Sequence, residues 1–91
     1  MANTSHIEIE KLNGKNFESW NLKMEDLLVD RDQWVVVKPD TTPAGMSQEY
    51  WEKLDRKARN MIRICLADSV LLNVLSEDTA NNLWDKLENL Y

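Results

Sequence analysis

Hydrophobic residues recur along most of the chain at spacings of three and four positions, the period of an amphipathic helix. The first stripe begins directly after Asn16, a residue type suited to a helix N-cap. It consists of Phe17, Trp20, Met24, Leu27 and Leu28. Trp34 and Val35 continue this stripe, although the run of valines there would also suit an extended segment. The pattern predicts a first helix that begins after Asn16 and ends between Asp32 and Val37.

A second helix is predicted to begin at Ser47, after a loop over Lys38–Met46 that holds both prolines and one glycine. Its apolar face comprises Trp51, Leu54, Ala58, Met61, Ile62 and Cys65. The opposite face carries acid-to-base pairs four residues apart, which stabilise an exposed helical surface. These pairs are Glu49 with Lys53, Glu52 with Arg56, and Asp55 with Arg59.

Two shorter helices are predicted in the last third of the chain. Asp68 is expected to cap a helix over Ser69–Leu75, which is apolar nearly all round and so expected to be buried. Ser76 or Asp78 is expected to cap the last helix. Its stripe comprises Ala80, Leu83, Trp84, Leu87, Leu90 and Tyr91. No glycine caps this stripe, and we expect the natural domain to continue beyond Tyr91.

Residues 1–15 show a different pattern. Ile7 and Ile9 alternate with polar residues, and Asn13-Gly14 favours a turn, so this part is predicted to be an extended arm that packs on helices. The sequence as a whole predicts an all-α fold: a small bundle of about four helices over residues 16–91, preceded by the arm over residues 1–15.

Composition and charge narrow the class of protein. The chain has 91 residues, of which 43% are hydrophobic, so one small globular domain is expected. Its net charge of −5 argues against a nucleic-acid-binding face. The single cysteine, Cys65, lies within an apolar stripe and indicates a buried thiol in a reducing compartment. Without a signal peptide or an apolar run near 18 residues, we expect a cytoplasmic protein with no membrane partner.

The residues needed for common kinds of catalysis are missing from the sequence. His6 and Cys65 are too few for a zinc site, and His6 lies in an arm that is predicted to be mobile, where a catalytic base would not be held within hydrogen-bond reach of a nucleophile. Gly14 and Gly45 cannot form a phosphate-binding loop. We therefore predict no enzyme activity, no catalytic residues, no cofactor, no metal and no small-molecule substrate.

Two charged groups allow alternatives to this interpretation. The acidic groups are Glu25, Asp26, Asp30 and Asp32, followed by Glu77 and Asp78. They could form a carboxylate pair or a cation site, but a solvated helix face and helix N-terminal charge explain them better. The basic group on the second helix is Lys53, Arg56, Lys57, Arg59 and Arg63. It could contact RNA, but the interleaved acids favour a salt-bridged surface.

A second apolar line is predicted on the first helix. Leu22, Val29 and Val36 are seven residues apart and about 120° from the main stripe, if the helix continues to Val36. This line could be covered by the last helix or the arm. It could instead be a self-association seam, because apolar residues on an outer face tend to mark partner sites.

Four blocks of sequence, in order, resemble the start of copia-type retrotransposon Gag polyproteins. They are Lys11–Phe17 with Trp20, Met24, Leu27 and Leu28; Asp32–Trp34 with Val36 and Val37; Trp51, Asp55, Ala58, Ile62, Leu66 and Asp68; and Asp78–Ala80 with Trp84, Leu87, Leu90 and Tyr91. The resemblance covers the chain from about Ile9 to Tyr91. Many family members have a glycine near Asp32 that ends the first helix, and its absence here favours a longer helix.

The resemblance implies the N-terminal half of a capsid domain, with the matched Trp, Leu and Tyr positions in the core. Family Gag proteins assemble into virus-like particles that package element RNA, and a zinc knuckle further downstream helps RNA contact. The implied partners are further copies of this chain or other Gag chains, with RNA bound only indirectly or through downstream segments. The predicted self-association residues are Leu22, Val29, Trp34 and Val36. The alternative is a domesticated Gag fragment that acts as a protein-interaction adaptor or inhibits Gag assembly.

Overall fold

A computed structural model describes residues 9–39 and 45–91, which form helices joined by short connections. The helices are α1 (Phe17–Asp30), α2 (Trp34–Val37), α3 (Gln48–Ile64), α4 (Asp68–Leu71), a 3-10 turn (Leu72–Val74) and α5 (Ala80–Leu90). The described ranges contain no β-strand, and the predicted all-α class is confirmed. Ile7, His6 and residues 40–44 of the predicted loop lie outside the described residues.

The first helix ends earlier than the sequence predicts. After Asp30 the chain turns through Asp32, whose φ is 59°. The Asp32 N–H donates to the Val29 carbonyl, and the Gln33 N–H donates to the Leu28 carbonyl. These two bonds define a Schellman C-cap, in which the left-handed position usually belongs to glycine. The prediction of a longer helix was wrong, because an aspartate can adopt this conformation with a local cost.

The turn at Asp32 changes the direction of the chain and starts α2 as a separate short helix. Its two last residues, Val36 and Val37, are fully buried. α2 packs against α1, α3 and α5, so it lies at the centre of the fold. The valines therefore contribute to the core, not to an extended segment or to the outer face of α1.

Helix α3 begins as predicted, with Ser47 at the N-cap. The Ser47 hydroxyl accepts a hydrogen bond from the Tyr50 N–H at 3.1 Å, and the predicted apolar face points inward. Leu54, Ala58 and Ile62 are buried on that face. The long amphipathic pattern and its cap were sufficient to define this helix.

Helix α1 begins after Asn16 as predicted, but without a side-chain cap bond, and two later helix starts differ from the predictions. Asn16 precedes α1, but its side chain bonds to Asn13 and Lys11 in the preceding turn and makes no cap bond. Ala67, not Asp68, holds the N-cap position of α4, and Asp68 is its first residue. Thr79 caps α5, in place of the predicted Ser76 or Asp78, by accepting from the Asn82 N–H.

The segment from α4 to Leu75 is only partly buried, which contradicts the prediction of burial. Val70 and Val74 enter the core, whereas Leu72 is 68% exposed and Leu75 is 59% exposed. An apolar composition on all sides therefore does not distinguish a buried helix from one that leaves apolar residues on the surface.

The arm joins the core through Leu12, which is fully buried. Its N–H donates to the Cys65 carbonyl and its carbonyl accepts from the Ala67 N–H, forming an isolated parallel bridge with Leu66. The indole N–H of Trp20 also donates to the Cys65 carbonyl, at 3.0 Å. The start of α1 is thereby fixed to the connection between α3 and α4.

Candidate self-association surface

The outer face of α1 carries two exposed apolar residues among acidic ones. Trp20, Met24, Leu27 and Leu28 point into the core, so the positions on the opposite side point to solvent. These opposite positions, which we call the α1 face, are the exposed Glu18, Leu22, Asp26 and Val29, with the half-buried Glu25 at the edge. Leu22 is 62% exposed and Val29 is 51% exposed. This face is the candidate site in the described structure.

The structure separates the four predicted self-association residues. Leu22 and Val29 share the α1 face, as their seven-residue spacing predicts. Val36 is buried in α2, because α1 ends before reaching it. Trp34 is half-buried, and its ring packs edge-on against Trp84 with centroids 5.2 Å apart. A contact role remains a prediction for Leu22 and Val29, while the premise of one helix through Val36 is wrong.

The basic residues of α3 divide into two groups. Arg59 forms an ion pair with Asp55 at 2.8 Å, and Arg63 donates to the Glu77 carbonyl. The Arg59 pair therefore lies within α3, whereas Arg63 joins α3 to the segment that leads into α5. Lys53, Arg56 and Lys57 are exposed and point to solvent.

An open groove of about 640 Å³ lies between the first half of α3 and the start of α5. Its floor includes Asp55, whose carboxylate accepts the Ala80 N–H at 2.9 Å and pairs with Arg59. Charges of both signs line the rest of the groove. One oxygen of this buried carboxylate accepts a hydrogen bond and the other forms an ion pair, so Asp55 makes a structural contact at the groove. The sequence missed this contact, because the spacing of Asp55 and Arg59 predicts only an exposed pair.

Two further observations concern the cysteine and the metal-ligating residue types. Cys65 is half-buried, and burial raises the pKa of its thiol, with a smaller opposing effect from Lys11. Within the described ranges, no three His, Cys, Asp or Glu side chains come together to hold a metal ion. None of the helices in that part of the chain has both the length and the apolar character to cross a membrane.

These features define a class: a small all-helical domain whose candidate site is a helix face and not a pocket. Comparison with known families gives a specific assignment. The chain belongs to the family described as gag-polypeptide of LTR copia-type, whose model matches residues 24–91. The resemblance found in the sequence is thereby confirmed.

A curated relative supports the same assignment. Over 86 residues, or 92% of this chain, the sequence is 41% identical to the retrovirus-related Pol polyprotein from transposon TNT 1-94 of Nicotiana tabacum. The chain spans 6% of that relative's length. No solved structure matches the chain.

Proposed function

We propose that this chain is a structural, capsid-type Gag module that acts by homotypic association, contributing to particles that package element RNA. Its partners are further copies of itself or other Gag chains, its compartment is the cytoplasm, and its role requires no catalysis. Family membership supports a Gag role. The single structural observation that carries the association is the exposure of Leu22 and Val29 together on α1.

The small area of this apolar pair predicts a weak contact, which holds copies together only when it is repeated many times in an assembly. Burying the exposed parts of a leucine and a valine contributes roughly 1–2 kcal/mol each. That amount does not hold two free copies together against the loss of translational and rotational freedom. Repeated contacts in an assembly increase the effective concentration and allow weak interfaces to hold.

The test is substitution of the apolar pair by glutamate. We expect Leu22→Glu and Val29→Glu to abolish association, because a carboxylate in an apolar contact is costly to desolvate. Sedimentation velocity at several concentrations measures association, and electron microscopy shows whether regular shells or tubes form. Leu72→Glu is the matched control, since Leu72 is 68% exposed and lies outside α1 and α3.

The outcomes separate the proposed role from its alternative. Shells or tubes from the parent that are lost in both α1 variants support a capsid-type role. Discrete dimers alone favour the adaptor or inhibitor role of a domesticated fragment. A parent that stays monomeric at the highest attainable concentration, or α1 variants that associate like the parent, would overturn homotypic association.

A further inference from the structure

The outer face of α1 is acidic. Helix α1 contains four acidic residues and one lysine. Three of the acids, Glu18, Glu25 and Asp26, belong to the α1 face and flank Leu22 and Val29. An apolar partner for this pair would therefore need basic groups around it to neutralise the carboxylates.

The part of α3 from Lys53 to Ile64 presents the complementary surface. Lys53, Arg56 and Lys57 are exposed there, and the helix ends at Ile64, which is 65% exposed. We call these four residues the α3 face. The acid within this stretch, Asp55, is buried and bonded to Arg59 and Ala80, so it does not neutralise the face. Two exposed acids, Glu49 and Glu52, lie one turn before Lys53 and Arg56 on the same side of α3. From Lys53 onward the α3 face is basic, with an apolar residue at its far end.

The two faces do not neutralise each other within one chain. α2 packs against both α1 and α3, and no ion pair joins α1 to α3 in the part of the chain that the structure describes. The faces have similar lengths: the 14 residues of α1 extend about 21 Å, and the stretch from Lys53 to Ile64 about 18 Å. Similar length and opposite charge would allow each face to lie along the other on a second molecule.

We propose that the α1 face of one copy docks on the α3 face of the next copy, so that the partner is a second molecule of this chain bound in a head-to-tail manner. This inference rests on the proposed homotypic function and specifies its second surface. A contact between two α1 faces would oppose three carboxylates on each side, and like charges in an interface cost several kcal/mol. A head-to-tail contact leaves one free face at each end, so it generates rings or filaments instead of closed dimers.

Charge reversal tests the proposal. The α1-reversed protein carries Glu25→Lys and Asp26→Lys, and the α3-reversed protein carries Lys53→Glu and Lys57→Glu. We expect each alone to associate at least about tenfold more weakly than the parent, the equivalent of about 1.4 kcal/mol. An equimolar mixture of the two proteins, and a protein with all four substitutions, should recover association because complementary faces are restored.

The control protein carries the same number of substitutions, and the same change of charge, as the α3-reversed protein. Lys15→Glu with Lys86→Glu reverses two exposed lysines outside both faces and should leave association unchanged relative to the α3-reversed protein. Circular dichroism and urea unfolding check that all variants remain folded. The parent gives an independent measurement, since its association should weaken as salt rises from about 50 to about 500 mM.

The possible results separate this inference from the function on which it rests. A monomeric parent would overturn both. Association of the parent could depend on the α1 face but not on Lys53, Lys57 or salt. That result would support homotypic association and overturn the head-to-tail contact. A third result is an α3-reversed protein that associates normally but no longer binds fluorescein-labelled single-stranded RNA. That result would identify the α3 face as an RNA surface and would also overturn the head-to-tail contact.

Discussion

Asp32 occupies the left-handed position that ends α1, with φ at 59°. A residue with a β-carbon is strained there, whereas glycine is not. We predict that Asp32→Gly stabilises the domain by about 0.5 kcal/mol, because relief of strain exceeds the entropy that glycine adds to the unfolded chain. Asp32→Val should destabilise it by more than about 1 kcal/mol.

Urea unfolding measures both changes. Asp30→Gly is the matched control, since this residue lies two positions earlier within α1 and glycine there should destabilise the helix by up to about 1 kcal/mol. If glycine destabilises both positions equally, Asp32 is not the residue at which the helix is strained.

Asp55 is a buried carboxylate that links α3 to α5. One oxygen accepts the N–H of Ala80, the first residue of α5, and the other pairs with Arg59. We predict that Asp55→Ala lowers the free energy of unfolding by about 2–3 kcal/mol, because it leaves a helix N–H and a half-buried guanidinium without this partner. Chemical unfolding measures the loss, and Asp26→Ala, at an exposed site, should change stability by less than about 0.5 kcal/mol.

At the scale of the elements, Lys38 joins the end of α2 to α5. Its ammonium group donates to Asp85 and Glu88, both at 2.8 Å, and these bonds raise its pKa above the ordinary value of 10.5. A raised pKa in the folded state means that the unfolded chain releases this proton first as pH rises. The stabilisation is therefore complete below pH 10.5 and is lost as pH rises through the higher folded value.

The corresponding test compares Lys38→Met with the parent across the alkaline range. We expect the stability difference between them to shrink above about pH 10.5, when the parent loses the charge that the variant never had. Thermal unfolding at a series of pH values follows this difference. Lys86→Met is the control, and parallel pH curves for Lys38→Met and the parent would contradict the role of the bridge.

Element boundaries were predictable where one cap was available and uncertain where several were. Ser47 is the single cap candidate before a long amphipathic stripe, and the prediction for α3 was correct. Before α5, Ser76, Asp78 and Thr79 are all suitable cap residues. The contact between Asp55 and Ala80 helps to fix the helix start that makes Thr79 the cap, and this contact joins residues 25 positions apart.

At the scale of the whole molecule, the core is organised around Trp84. Its ring stacks on Trp20 with centroids 5.6 Å apart and meets Trp34 edge-on, so one side chain connects α1, α2 and α5. Trp84→Ala should cost about 3–5 kcal/mol through the lost contacts and the cavity. That is a large part of the roughly 5–14 kcal/mol expected for a domain of this length.

Thermal unfolding followed by circular dichroism measures this effect, and Tyr50→Ala, an exposed aromatic substitution, is the control. We expect Trp84→Ala to lower Tm by more than ten degrees or to leave little folded protein, and Tyr50→Ala to shift it by only a few. A small shift for Trp84→Ala would mean that the three helices are held together by other contacts.

Only part of the candidate site could be predicted from the sequence. The seven-residue spacing of Leu22 and Val29 placed both on one outer face of a helix, which depends only on helical geometry. Whether Val36 shares that face depends on whether the chain turns at Asp32. The residue types alone favoured one continuous helix through Val36, and this prediction was wrong. The exposure of Ile64, Leu72 and Leu75 likewise follows from which sides of their segments have neighbours.

The sequence by itself determined the helical class, the inward faces of α1, α3 and α5, and membership of the copia-type gag family. These properties depend on local periodicity and on patterns that can be read along the chain. Only the tertiary structure decided where α1 ends, that Val36 is buried while Leu22 and Val29 are exposed, and that Asp55 anchors α5. Each of those depends on residues brought together across the fold, and their burial and hydrogen bonds exist only after the helices have packed.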